Sequence, residues 1–570
     1  MDTYVGNFVK MLGTIVLEKR WTLLYTKIKK NQSELILMKF DINSLSVEDL
    51  VGQVLCPSIS AKDDPAEVEK MLMEKKPGGF FVTHMSKEMI KRYTDVVNKY
   101  SKVPVIVCSD VENGPEIVID GAGYFPKPMA CGAADSPELL REATEAAAAI
   151  CRKNGVHWTF APVVDINYNF RCPEINTRAF SDDPKQVSKM SKAFIKGIQK
   201  DNNMVACVKH FPGQGTDERN AHFCTTVNDM TREEWMETYG YVYKEAFKEG
   251  VGSVMIAHCA LPFCEEDVDP NLGCPPAILS KSIMTDLLKN ELGFEGCVVS
   301  DAMSMVGAVA RCPLDKLAVN FLKAGGDMVL FDEKSDRENI LKAVESGELP
   351  LERLRDAVTR IVRMKEWVGL FENQEKIEKN LKLKRPISEV STEIAERSIT
   401  LQRYYENLIP LNIPEKSKIL FVNVVNNRHK QEPTGHEFDV LKEEFEKEGY
   451  TVDVLTTPYH YEFEKTITDY EAVLINYKLD VDRYHGGTFR VGWDNIFHFW
   501  RGYIFNAKRL ICTSFGDPYK LFDLPFLKTY LNAYSSTEES QRAAARVILG
   551  KIPALGKNPV ELKGFFEREV

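Results

Sequence analysis

The sequence predicts an α/β protein: a (β/α)8 TIM-like barrel comes first, and a second α/β domain follows it. Three observations carry this. Short apolar runs alternate with amphipathic helical patterns, about eight such runs precede residue 335, and several of them end in an ionisable side chain. Repeated strand–helix units fit a barrel or a doubly wound sheet, and the number of runs favours the barrel.

In order, the runs are VGQVLCPSI (51–59), GGFFVTH (78–84), PVIVCSD (104–110), WTFAPVVDIN (158–167), VACVKH (205–210), SVMIAHCA (253–260), GCVVSDAM (296–303) and GGDMVLFD (325–332). Most are continuous rather than alternating, as expected of parallel strands buried on both faces. The clearest helical pattern between them is TREEWMETYGYVYKEAFKEG (231–250). Thr231 and Glu234 make a capping box, Gly250 suits the C-terminal stop, and Trp235, Tyr239, Val242, Tyr243, Ala246 and Phe247 mark one face. The charged stretch ENQEKIEKNLKLKRP (372–386) reads as a linker or solvated helix. After it, KSKILFVNVV (416–425), TVDVLTT (451–457), YEAVLINY (470–477) and KRLICTSFGDPY (508–519) read as strands of the second domain. The expected organisation is an N-terminal extension (1–44), the barrel (45–371), a linker (372–415) and the second domain (416–570).

Bulk properties narrow the class. A chain of 570 residues exceeds one ordinary core, though a barrel can absorb well over half of it. The net charge of −10 argues against a nucleic-acid partner held by a broad basic face. Thirteen scattered cysteines without a C-x-x-C pair fit a reducing compartment. The first residues show no signal-peptide pattern and no segment reaches 18 uninterrupted apolar residues, so a soluble cytoplasmic protein without membrane contact is expected. A homodimer is left open.

The strand ends carry the chemistry. Asp110, Asp165, Lys209, His210, His258, Asp301 and Asp332 each close an apolar run, and strand C-termini of a barrel share one mouth. After Lys209-His210 comes FPGQGTDERNAH, whose glycines and proline project a long loop with His222 at its end. Asp301, straight after CVVS, suits a nucleophile, a metal ligand or a cap; a carboxylate there can attack an anomeric carbon and hold a glycosyl group covalently.

The segments KHFPGQGTDERNAH, FAPVVDIN, NTRAFSDDP, AHCALP, LGFEGCVVSDAMSM, SFGDPY and YSSTEESQRAAARVILG resemble glycoside hydrolase family 3, in order, from about residue 45 almost to the C-terminus. They are most similar to its bacterial β-N-acetylglucosaminidase branch, which implies a barrel followed by an αβα sandwich domain. The resemblance implies Asp301 as nucleophile and His222, on a mobile loop, as general acid/base. It implies Asp110, Arg178, Lys209 and His210 as grips on the sugar hydroxyls, with no metal and no cofactor.

Three of the departures from the branch pattern K-H-F-P-G-H-G-D-T-x-x-D-S-H bear on the chemistry. The aspartate that polarises the histidine is Asn220, its neighbouring serine is Ala221, and the middle histidine is Gln214. A fourth departure lies in the D-x-E-G-G-R segment, here Asp110 to Pro115, which lacks the arginine that grips amino sugars. These losses favour tolerance of β-glucosides alongside, or in place of, β-N-acetylglucosaminides.

An asparagine at the dyad position orients an imidazole without stabilising its cation; the comparable change in a serine-protease triad costs about 10⁴ in turnover. That impairs activation of water. Phosphate arrives deprotonated and instead avoids negative neighbours, since two unit charges about 4 Å apart repel by roughly 4 kcal/mol at an effective dielectric near 20. The branch includes phosphorylases. The expected activity is therefore a retaining β-glycoside phosphorylase, with inorganic phosphate as co-substrate and Arg219 and Arg178 as candidate phosphate contacts. The alternatives are a hydrolase or transglycosylase in which Asp217, Glu218 or Asp229 partners His222, an inactive sugar-binding protein, and a metal enzyme using His210, His222, His258 and Asp301. HGGTFRVGWDNIFHFWRGY (485–503) reads as core plus surface loop, with an interface or acceptor contact as the other reading.

Overall fold

The computed structural model describes residues 39–266, 268–425, 436–456, 467–479, 491 and 504–564. Residues 1–38 of the expected extension lie outside these, as does the aromatic segment 485–503 apart from Val491. The chain divides into two compact units, Met1–Leu45 and Ser46–Val570. In the first, the Asp41 carboxylate accepts from the Asn43 N–H at 3.0 Å and starts the 3-10 turn Ile42–Ser44.

The second unit opens with helix Val47–Gln53, started by a Ser46/Asp49 capping box. The run VGQVLCPSI is thus a helix end followed by a strand, a distinction that continuous apolar residues do not signal. Eleven strands follow: β1 (Leu55–Cys56), β2 (Ser58–Ser60), β3 (Gly79–Thr83), β4 (Ile106–Ser109), β5 (Trp158–Thr159), β6 (Cys207–Phe211), β7 (Thr226–Val227), β8 (Ser253–Ile256), β9 (Cys259–Ala260), β10 (Cys297–Ser300) and β11 (Val329–Leu330). Pro57 has no N–H and splits β1 from β2, while its carbonyl accepts from Phe81 N at 2.9 Å.

Every pairing is parallel, and the pairings run in a ring. β2 pairs β3, β3 pairs β4 and β4 pairs β5. A bridge Trp158↔Val205 leads to β6, which pairs β8, which pairs β10. Val299↔Met328 leads to β11, and β11 pairs β1. Helices separate successive members, among them Pro65–Lys75, Lys87–Tyr100, Pro137–Lys153, Pro184–Gln199 and Leu314–Ala324. The helix predicted at 231–250 has its capping box but breaks at Thr238, giving Arg232–Glu237 and Tyr239–Lys248. The Thr238 hydroxyl donates back to Glu234 O at 2.7 Å, a bond that competes with helix continuation.

Residues 372–415 are more than the expected linker. They hold helices Gln374–Asn380 and Ile387–Ser398 and strand β12 (Thr400–Tyr404), so the second sheet begins before residue 416. Their charge reads as solvated, yet Val390, Ile394 and Ala395 bury one face of the second helix. The remaining strands are β13 (Lys418–Val425), β14 (Thr451–Thr456), β15 (Ala472–Lys478), β16 (Leu510–Ser514) and β17 (Thr529–Asn532), in the order β12-β17-β16-β15-β13-β14. Only β12 is antiparallel.

Strand alternation gives this sheet two cores. Ile419, Phe421 and Leu474 face one layer with Leu441 and Phe445 of helix Asp439–Lys447. Leu420, Val422 and Ile475 face the other with Met129, Ala130 and Ala133 of the barrel helix Pro128–Ala134. The sandwich is therefore packed directly on the barrel. No helix among the described residues is long and apolar enough to cross a membrane.

Candidate active site

The site is built where strands end. Lys209 and His210 stand in β6, whose ladder to β8 slips between Val208 and Phe211. Beyond it the chain turns through Gly213 (φ +117°) and Gly215 (φ +106°). A Cβ on Gly215 would lie 2.0 Å from Ile166 O, so only glycine lets the loop pass this closely.

Ions alternate across the mouth. Lys209 Nζ bonds Asp110 Oδ1 at 2.7 Å and Glu112 Oε1 at 2.8 Å. Arg178, in the turn Asn176–Arg178, clasps Glu112 through Nε (3.0 Å) and Nη2 (2.7 Å) and donates through Nη1 to Glu174 O at 2.7 Å. Burial alone would push the Glu112 carboxyl up, but Arg178 and Lys209 hold it well below the usual carboxylate range. Burial likewise works against the Lys209 ammonium, and Asp110 and Glu112 outweigh it, so its value is raised. His210 Nε2 lies 3.5 Å from Arg178 Nη2, while Nδ1 sits 2.6 Å from Asp165 Oδ2. Asp165 also accepts from the backbone of His210 and Gln214, which fixes both the ring and the start of the loop.

The His222 side chain is 26% exposed. Its Nδ1 lies 2.9 Å from Glu174 Oε1 and 2.9 Å from Asn220 Oδ1, and Asn220 Oδ1 also accepts the His222 N–H at 2.9 Å. The carboxylate absent from position 220 is thus supplied by Glu174. Asp217 is occupied elsewhere, by Arg219 and by the Val227 N–H, and Glu218 pairs with Arg171. The loop is fastened at several points. Asn228 Nδ2 donates to Gly213 O at 3.0 Å, Thr225 Oγ1 donates to Gly307 O at 2.9 Å, and β7 pairs with β9.

Asp301 follows β10. Its Oδ1 accepts from the Ala302 N–H at 2.7 Å. Burial would raise its carboxyl, but His210, His258, the Ala302 N–H and Lys209 together lower it. His258 Nε2 donates to Ala302 O at 2.9 Å, and burial pushes that imidazole toward its neutral form. His258 thereby steadies the Ala302–Met303 peptide that follows Asp301. The His222 loop reaches the same segment, since Gly307 N donates to Ala221 O at 3.0 Å.

Asp110, Arg178, Lys209 and His210 therefore form one network, with Asn220 and His222 tied to it through Glu174. Arg219 stands apart, 53% exposed and clasped by Asp217. Asp332 pairs with Lys75 away from this network. Two members of the network, Glu112 and Glu174, are not among the residues the sequence singles out. Glu112 lies in the segment Asp110 to Pro115, where the acid's partners are not apparent from its neighbours. Glu174 carries no signal, since it lies 48 residues before His222 in an irregular segment.

The sequence family "Glycosyl hydrolase family 3 N terminal domain" matches residues 46–364. A protein of Cellulomonas fimi named beta-N-acetylglucosaminidase/beta-glucosidase is 28% identical over 534 residues, covering 90% of this chain and 93% of that relative. The beta-hexosaminidase of Chromobacterium violaceum is 28% identical over 294 residues, half of this chain and 79% of its own length. Among solved structures, the beta-glucoside phosphorylase BglX bound to 2FGlc superposes with a TM-score of 0.81 at 28% identity, covering 91% of this chain and 95% of that one. A family 3 beta-N-acetylglucosaminidase from Paenibacillus sp. str. FPU-7 shares the fold, with a TM-score of 0.78 at 24% identity, covering 91% and 99%. With its barrel, its sandwich domain and this match, the chain belongs to glycosyl hydrolase family 3 and is an enzyme of that family.

Proposed function

We propose that the chain is a retaining β-glycoside phosphorylase acting on β-glucosides, β-N-acetylglucosaminides or both. Asp301, kept ionised by its surroundings, attacks the anomeric carbon as the bond to the departing oxygen breaks. His222, protonated, gives its Nε2 proton to that oxygen. A phosphate oxygen then displaces Asp301, and the second inversion leaves a β-sugar 1-phosphate. The proton returns to His222 from the incoming monohydrogen phosphate or from solvent. Asp110, Lys209, Arg178 and His210 hold the sugar hydroxyls, and inorganic phosphate is the only co-substrate.

One observation carries this reading. The acid/base is an imidazole whose carboxylate lies behind it, on Nδ1, so the working nitrogen adds no negative charge where phosphate must approach. The likeness to a beta-glucoside phosphorylase over nine-tenths of both chains supports it. Glu174 favours a second reading, hydrolysis. A carboxylate 2.9 Å from Nδ1 stabilises the imidazolium that activation of water produces, which an asparagine alone cannot do.

Phosphorus and proton NMR of an aryl β-glucoside reaction, run with and without phosphate, separates the two. A phosphate-dependent sugar 1-phosphate signal is expected. Free sugar at equal rate in both tubes would make the enzyme a hydrolase.

A further inference from the structure

The five parallel strands of the sandwich run β14-β13-β15-β16-β17 across the sheet, so chain order reverses between β13 and β15. In doubly wound sheets, ligands bind outside the carboxyl ends of the strands at such a reversal. Lys478 stands there, the last residue of β15, opposite Val425 at the end of β13. A cleft of about 540 Å³ opens at this edge, and its other wall is the barrel mouth. Lys478, Ser535 and Thr537 line it together with Lys127, Asp110 and Arg178.

The chemistry of the cleft is that of an oxyanion site. Lys127 and Lys478 bring two positive charges; of the other charged groups on its wall, Arg178 is matched by Glu112, and Asp110 is bonded to Lys209. Ser535 is 1% exposed, and its hydroxyl has no partner among the described residues. A buried hydroxyl left so is unfavourable unless something bonds it. Thr537 on the same wall caps helix Glu538–Ile548, its side chain accepting from the Ser540 N–H. Neither Asp301 nor His222 lines the cleft, so it meets the sugar site on the Asp110 side.

We propose that this cleft is a phosphoryl-binding subsite contributed by the second domain. Its ligand is a phosphoryl group carried on the glycosyl ring beyond Asp110, or free phosphate. The proposal rests on the reading of the barrel mouth as the glycosyl site.

Calorimetry with glucose 6-phosphate and with inorganic phosphate tests it on the full chain, alongside kinetics on an aryl β-glucoside and its 6-phosphate. Lys478→Met should weaken phosphoryl binding about tenfold or more, and Ser535→Ala severalfold. The preference for the 6-phosphorylated over the neutral glycoside should fall by a similar factor. Loss confined to glucose 6-phosphate assigns the group to the sugar; equal loss for inorganic phosphate, with a raised KM for it, assigns the free anion. No binding to the parent chain, or equal affinity in parent and both variants, overturns the proposal. Binding that depends on Lys478 in a protein that turns over no glycoside would support this subsite and overturn the proposed reaction instead.

Discussion

His222 offers one ring nitrogen to two acceptors, and only one of them can carry charge. Glu174 stabilises the imidazolium; Asn220, bonded to the same nitrogen and to the His222 N–H, fixes the ring's direction. Glu174→Gln should keep that direction and lose the charge, lowering kcat about 10²- to 10⁴-fold while leaving KM and unfolding little changed. An unchanged kcat would mean that Glu174 merely packs. Asn220→Asp adds a second carboxylate on Nδ1 and should move the partition of the glycosyl-enzyme from phosphate toward water, read as the ratio of sugar 1-phosphate to free sugar at fixed phosphate. An unchanged ratio would remove charge near His222 as the determinant of acceptor choice.

Glu112 joins three elements: its own loop after β4, strand β6 through Lys209, and the turn Asn176–Arg178. Removing one partner of a buried ion cluster costs about 3–5 kcal/mol, because the charges left behind stay buried. Glu112→Gln should destabilise by that order in urea unfolding. Its carboxyl is held well below the usual range, so its stabilisation is complete above about pH 4.3 and fades as pH falls toward the lowered folded value. The parent–variant difference should therefore be flat at neutral pH and shrink only in acid; a difference that shrinks above pH 6 would contradict the assignment. The elements carrying this cluster are legible in sequence because buried parallel strands read as continuous apolar runs, each ending in the residue it presents. Lys209, His210 and Asp301 stand out that way. Glu174 and Glu112 do not, because they partner residues from other elements, at separations such as 48 and 66 that no local pattern encodes. β12 is hidden for a related reason: the charged stretch before it masks a short strand whose partner, β17, lies over a hundred residues away.

At the scale of the whole second unit, helix Leu351–Trp367 packs against helix Val47–Gln53, which opens the unit, and Lys365 of the first reaches Gln53 of the second. It is 0% exposed, and its Nζ donates to Gln53 Oε1 at 2.6 Å. Burial pushes its value down to about 7, against about 10.4 in an unfolded chain. From near pH 7 to near 10, the unfolded chain thus holds a proton that the folded chain has released. Stability contributed by this residue accordingly rises across that window, by roughly 1.4 kcal/mol for each step of one in pH. At neutral pH and below, the buried ammonium works against folding. Lys365→Met removes that opposition but leaves Gln53 unsatisfied at a cost of about 1–3 kcal/mol, so a net gain of about 2 kcal/mol is expected at pH 7. Other buried groups, including Tyr239 and Cys131, titrate in alkali in both proteins and cancel in the comparison. Urea unfolding of parent and variant from pH 7 to 10 should show the variant's advantage shrinking as pH rises. A variant less stable by the same amount at every pH would mean that Lys365 keeps its proton in the folded chain as in the unfolded one, and that its bond to Gln53 outweighs its burial.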